Sequence, residues 1–228
     1  MATRDPEDAM AAYRLLANCD EFNRRHDRVI RDMEDVANTH SNRDGLPRYR
    51  GMTQSEKQHD TVLCAPMTER MRRSRIDYLA IAATAGVAGA SVSFAEEGPF
   101  GDRTAITSRP DDPLVREWKD KARAQLTRDA EAADPSALYF LWFQNMNGNV
   151  LHQTPPALAF RYGVAMGKID EDIHGANDAA NGFFGEKSQM MQLMVKDMSP
   201  EQRAAEVTQA QRIAEVARQR RKRAVDKT

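Results

Sequence analysis

Two Glu-x-x-His pairs, Glu56 with His59 and Glu171 with His174, are the residues of this chain whose types and spacing come nearest to a chemical site. On a helix, positions i and i+3 share one face. Each pair could therefore present a carboxylate oxygen and an imidazole nitrogen to a single ion, a donor set that suits iron or manganese. Asp170, Asp172 and Asp178 surround His174, but their setting is polar and reads as solvated. With five histidines in an acid-rich chain, two such pairs arise readily by chance. The expectation from sequence is accordingly no cofactor, with Glu56, His59, Glu171 and His174 as the residues to inspect for metal.

Other catalytic patterns are missing. There is no Gly-x-Ser-x-Gly elbow, and neither Cys19 nor Cys64 has an activating histidine or helix start beside it. Gly86 and Gly89 lie in an alanine-rich run without the spacing of a dinucleotide loop or the Gly-Lys-Ser/Thr ending of a phosphate loop, so close helix packing accounts for them better. The two cysteines fit neither a disulfide framework nor a paired metal motif, which points to separate structural thiols and a reducing compartment. Met190, Met191, Met194 and Met198 recur at helical spacing and read as core filling before they read as an adaptable binding surface.

Charge sets no global partner. The 228 residues carry 33 basic and 34 acidic side chains, for a formal net charge of −1, so any polyanion must be met by a local patch. Two such patches exist: Arg70, Arg72, Arg73 and Arg75, and Arg218, Arg220, Arg221, Lys222 and Arg223. The first stands where headgroup anchoring would be expected, and the second is the place to look for nucleic acid, although a solvated face is the commoner use of such a cluster. Met1 to Asp8 contains no apolar run, so an ordinary N-terminal secretory signal is not expected.

The elements that must position these groups are helices. Asp5-Pro6-Glu7 is a strong helix opening, and Met10, Tyr13, Leu16, His26, Val29, Ile30, Met33 and Val36 continue an apolar stripe at three- and four-residue spacing, which predicts one long helix. Thr39 to Thr53 reads as a loop and Ser55 to Cys64 as a short helix. Asp112-Pro113, Asp134-Pro135 and Pro155-Pro156 open three more, the second holding the densest apolar cluster, Leu138 to Phe143. Gly163 and Gly167 are spaced for close packing, and Gly182 and Gly185 flank Phe183 and Phe184 in a turn. Ser199-Pro200-Glu201-Gln202 is a capping box that launches a last, basic-ended helix.

Between the arginine cluster and Glu96-Glu97 runs Ile76 to Ala95, in which Asp77 is the one formally charged residue. Length and flanks allow a single membrane span with its N-terminal side cytoplasmic or in the matrix, and a mean hydropathy of −0.69 for the whole chain leaves room for one such anchor. Ala82, Gly86 and Ala90 would then form a small-residue seam for a neighbouring helix. Ser74 to Ala90 resembles the anchor of Rieske-type respiratory subunits, but the paired Cys-His motifs of that family are missing, so no iron–sulfur role carries over. The same residues resemble a twin-arginine export signal starting at Met71, with Ser93-Phe94-Ala95 before a cleavage point. The Glu-x-x-His pairs resemble half of the ferritin-like di-iron pattern, which needs a further inward glutamate from each of two helices; Glu34 and Glu131 are available.

The sequence therefore predicts a mainly α chain with extended amphipathic helices around one Ala/Gly-rich apolar helix, for which a single transmembrane span is the expected use. Its regions are an N-terminal helical part (1–69), the apolar helix (70–97), a helical core (98–198) and a basic C-terminal helix (199–228). The expected role is a noncatalytic accessory or structural subunit of a larger membrane assembly, of a respiratory kind, touching other protein subunits and lipid. The alternatives are a soluble helical virion or nucleoprotein-type assembly protein and, more distantly, a ferritin-like di-metal enzyme.

Overall fold

The computed structural model describes residues 5–31, 49–147, 155–175, 184, 186 and 188–225. It is mainly helical, and two compact units divide the chain, Met1–Ala90 and Ser91–Thr228, with the division falling inside the 70–97 stretch.

In the first unit, α1 (Pro6–Arg25) begins where the sequence says it should. The Asp5 carboxylate accepts from the backbone N–H groups of Glu7 at 2.9 Å and Asp8 at 3.1 Å, satisfying two of the free donors of the first turn. Ala9, Met10, Tyr13, Leu16, Cys19 and Phe22 form its buried face. The helix does not run on to Val36. His26 turns left-handed at φ 52° and donates its N–H back to Phe22 O, and Val29–Arg31 (β1) then pairs antiparallel with Tyr49–Gly51 (β2). Polar ties to the next helix outcompete continuation: Asp27 accepts from Lys57 Nζ at 2.6 Å, and Arg28 donates to the buried Asp60 at 2.8 Å. That helix, α2 (Gln54–Cys64), and α3 (Glu69–Ala85) both pack on α1.

The stretch 76–95 is not one helix. α3 stops at Ala85 because Gly86 adopts φ 78°, ψ 30°, donating its N–H to Ala82 O and Ala83 O while Val87 N bonds Ala82 O at 3.1 Å. This is a left-handed helix stop that glycine adopts at low cost. Gly89 is again left-handed, and a new helix, α4 (Ala90–Glu97), starts beyond it. Among the described residues no helix is long and apolar enough to cross a membrane, which corrects the expectation of a single span. The physical reason lies in Gly86 and Gly89: residues expected to support close packing between helices instead end one helix before it reaches spanning length. Ala82, Gly86 and Ala90 consequently do not share one helical seam.

The second unit continues from α4 through a 3-10 turn (Pro99–Gly101) and α5 (Ala105–Ser108) to α6 (Pro113–Glu131), where Phe94 stacks on Trp118 at 5.6 Å. Next come α7 (Pro135–Asn147), α8 (Pro156–His174), α9 (Gln189–Met194) and α10 (Pro200–Val225). Asp112 caps α6 through Leu114 N at 2.9 Å, and Ser199 with Gln202 forms the capping box of α10, with bonds of 3.1 and 3.2 Å. The organising element is α8. It packs against α7, α9 and α10, and Ala159, Phe160, Tyr162, Gly163, Val164, Ala165 and Gly167 are all buried. Its two glycines are close-approach points. A Cβ on Gly163 would lie 2.5 Å from Met191 Cε and 3.0 Å from Trp142 Cδ1, and one on Gly167 would lie 2.9 Å from Phe184 O.

Candidate functional site

The residues singled out for metal chemistry are differently employed. Glu56 closes the capping box of α2, accepting from Thr53 N at 2.7 Å, and both of its oxygens accept from Arg50, at 2.8 and 2.7 Å. The Arg50 guanidinium, helped by the Thr53 backbone and hydroxyl, holds this carboxyl far below the usual range, so an incoming cation would have to displace a bidentate partner. His59 is exposed on the same helix. Glu171 and His174 lie in the other unit, both exposed, and His174 Nδ1 sits 2.9 Å from Asp170 Oδ1. Glu34 and Asp178 lie outside the described residues, as do Gly182, Phe183 and Gly185. Glu131 faces Arg161 and Tyr162. Among the described residues no group of three or more His, Cys, Asp or Glu side chains is placed to hold a metal ion.

The arginine clusters are partly spent on the chain itself. Arg72 and Arg73 both donate to Glu69, at 2.7 and 2.8 Å, and Arg75 donates to Arg72 O at 2.8 Å, leaving Arg70 as an exposed cation of that group. At the other end, Arg218 grips Asp172 with two bonds of 2.9 Å and also reaches Glu215, while Arg221 approaches the same Asp172 at 3.3 Å. These bonds tie the end of α10 to the end of α8. Arg220, Lys222 and Arg223 remain exposed.

The cysteines correct a second expectation. Cys19 on α1 and Cys64 at the end of α2 form a disulfide with a Cα–Cα separation of 5.1 Å, buried among Phe22 and Met52, with Ile30 and Met67 packed around it. Separate thiols were expected because the residues are 45 positions apart, and separation along a chain says nothing about distance once two helices pack. The inference of a reducing compartment loses its basis with them.

What the second unit does offer is a concave apolar surface. A groove of about 660 Å³ is walled by Pro155, Pro156 and Ala157 at the start of α8, by Met190, Leu193 and Met194 on α9, by Asp197 and Met198 in the turn that follows, and by Gln202, Ala205 and Glu206 on α10. No family model, curated protein or solved structure matches this chain. The groove must therefore be read from its own chemistry. Leu193 is 66% exposed, a large apolar side chain presented to solvent at the groove wall. The methionine run divides: Met191, fully buried, packs over Gly163, whereas Met190 and Met198 are half-buried at the groove. Spacing of three and four residues is shared by both uses, so periodicity marked these residues without separating them.

One wall residue of the groove belongs to a charged anchor. Glu206 accepts from Arg161 Nε at 2.6 Å, and the same guanidinium donates to Glu131 at 3.2 Å, joining α10, α8 and the end of α6. Burial alone would lower the Arg161 pKa, but the Glu206 hydrogen bond and charge, seconded by Glu131, raise it. The neighbouring Tyr162 hydroxyl points to Glu131 at 3.5 Å. Burial first, and the Glu131 charge second, push this phenol up to about 12. The folded value lies above that of an unfolded tyrosine, so the contribution to stability is complete below about pH 10 and is lost as pH rises toward 12. An ultraviolet alkaline titration should show a tyrosine step about two pH units after an ordinary phenol, and Tyr162→Phe should delete that late step. A titration with no late step, or a late step that survives Tyr162→Phe, would contradict the buried setting. Nothing local in the sequence signalled Arg161 with Glu206, because the partners stand 45 residues apart on separate helices.

Proposed function

We propose that this protein is a noncatalytic helical subunit of a larger protein assembly and that it receives a partner chain in the groove between α8, α9 and α10. The observation that carries this reading is Leu193, exposed on a methionine-lined concave wall, because contiguous apolar surface of that kind is costly to leave in water and characterises interaction sites. A membrane anchor is no longer part of the proposal, since the segment that suggested it is divided at Gly86 and Gly89. The test is photo-crosslinking from position 193 in the full chain expressed among its native neighbours. Discrete adducts that disappear with Met190→Asp are expected, and the same adducts in that variant would refute the reading.

A second reading is favoured by Arg220, Lys222 and Arg223, three exposed cations beyond the arginines that hold Asp172. They suit a nucleic-acid backbone, as in a helical nucleoprotein-type subunit. Three phosphate contacts would give a plot of log affinity against log salt with a slope of about −2 to −3, flattened by charge reversal at these three positions. Affinity unchanged by the reversal would rule this reading out.

A further inference from the structure

The groove also indicates the chemistry of its occupant, and this inference rests on the reading of the groove as a partner site. We propose that it takes an amphipathic helix whose apolar face is bordered by lysine or arginine. The walls are themselves helical faces: Met190, Leu193 and Met194 on α9, and Gln202, Ala205 and Glu206 on α10, each set spaced i, i+3, i+4. Two such ridged faces leave a channel that the ridges of a third helix fill. An extended peptide would find no strand edge here, because the wall is built from helices and the turn at Asp197 and Met198, and Pro155 and Pro156 offer no N–H, so side chains must do the anchoring.

Charge complementarity selects the flank. The lining includes two carboxylates, Asp197 and Glu206, and no basic residue. Glu206 is shared with Arg161, but Asp197 is exposed and makes no ion pair among the described residues. Glu201, exposed in the first turn of α10, adds a third acid beside Gln202. Arg203, the basic residue next to Gln202, is directed away from this rim, lying over the Phe160 ring at 5.8 Å and reaching Gln192 and Glu186, and Lys196, exposed beside Asp197, is not among the lining residues. A helix arriving with acidic flanks would set like charges against Asp197, whereas a basic flank gains one rim pair there.

The experiment uses two fluorescent helical peptides with identical leucine faces, one flanked by lysines and one by glutamates, titrated by anisotropy against the full chain. The lysine peptide is expected to bind about tenfold more tightly at low salt, with the difference shrinking at high salt. Asp197→Lys should reverse the order, and Leu193→Asp, at an exposed position that the fold tolerates, should abolish binding of both. Equal affinities that are still lost in Leu193→Asp would overturn the charge preference and leave the groove as a partner site. Binding of neither peptide would overturn both, and binding unaffected by Leu193→Asp would place the contact outside the groove.

Discussion

Replacing Trp142 by alanine should remove about 3–5 kcal/mol of stability, the range expected when a large aromatic is deleted from a packed interior. Trp142 is 2% exposed on α7, its ring meets Phe184 edge-to-face at 5.0 Å, and its Cδ1 closes on Gly163 of α8. The cavity would open beside Met191, which is fully buried, and the glycine side of the cavity has no side chain with which to fill it. Partial collapse is therefore poor, and the cost should fall toward the upper part of that range. Denaturant unfolding followed by circular dichroism measures it. Trp142→Phe should retain most of the stability and leaves Trp118 as the single tryptophan, so the two substitutions separate loss of volume from loss of the indole. A change below about 1 kcal/mol for the alanine variant would mean that α7 does not pack on α8 as described.

The second large effect concerns the first unit. A crosslink that closes a loop of this length stabilises the folded state by about 4 kcal/mol in the chain-entropy account, so reduction, or Cys19→Ser together with Cys64→Ser, should lower stability by about 2–4 kcal/mol. The remaining ties between α1 and α2 include Arg28 with Asp60, Lys57 with Asp27, and Asn23 Nδ2 donating to Cys64 O at 3.2 Å. The Lys57–Asp27 pair is partly exposed and adds little, so beside the crosslink the main polar tie is Arg28 with the buried Asp60. Thiol titration of the unreduced protein in denaturant should find no free cysteine, and urea unfolding with and without a phosphine reductant should show the shift. Two free thiols in the unreduced protein would refute the crosslink, and equal midpoints would show that packing alone holds α1 to α2.

Helix starts were legible in the sequence to within a residue or two because capping is a local transaction. Asp5, Asp112 and Ser199 each satisfy donors within three positions of themselves, so spacing alone identifies them. Apolar periodicity likewise marked the buried face of α1 at Met10, Tyr13 and Leu16, since a helix facing a core must repeat near 3.6 residues whatever lies opposite. Helix ends were less readable. The stripe through Val36 is as regular after His26 as before it, and what ends the helix is a pair of contacts, Asp27 with Lys57 and Arg28 with Asp60, made to a helix thirty residues away. The Ala/Gly segment shows the same limit from the other side: glycine at 86 is compatible with a helix interface and with a left-handed stop, and the hydrogen bonds to Ala82 and Ala83 decide between them.

The candidate site belonged almost wholly to tertiary structure. Residue type made Glu56, His59, Glu171 and His174 conspicuous, yet the structure divides them between two units and gives Glu56 to Arg50. The groove residues, by contrast, are ordinary singly: two prolines, four apolar side chains of α9 and its following turn, and a short face of α10. They become a surface because Arg161 draws α8 to Glu206 of α10, and because Gly163 lets Met191 sink into the core while Leu193, two positions on and turned to the other side of the helix, faces outward. Composition and spacing thus established helices, their starts and their buried faces, which depend on neighbours within one or two turns. Which methionine is core, which cysteines meet and where the concave wall forms are set by pairs of helices brought together across long stretches of chain, through packing that no local pattern encodes.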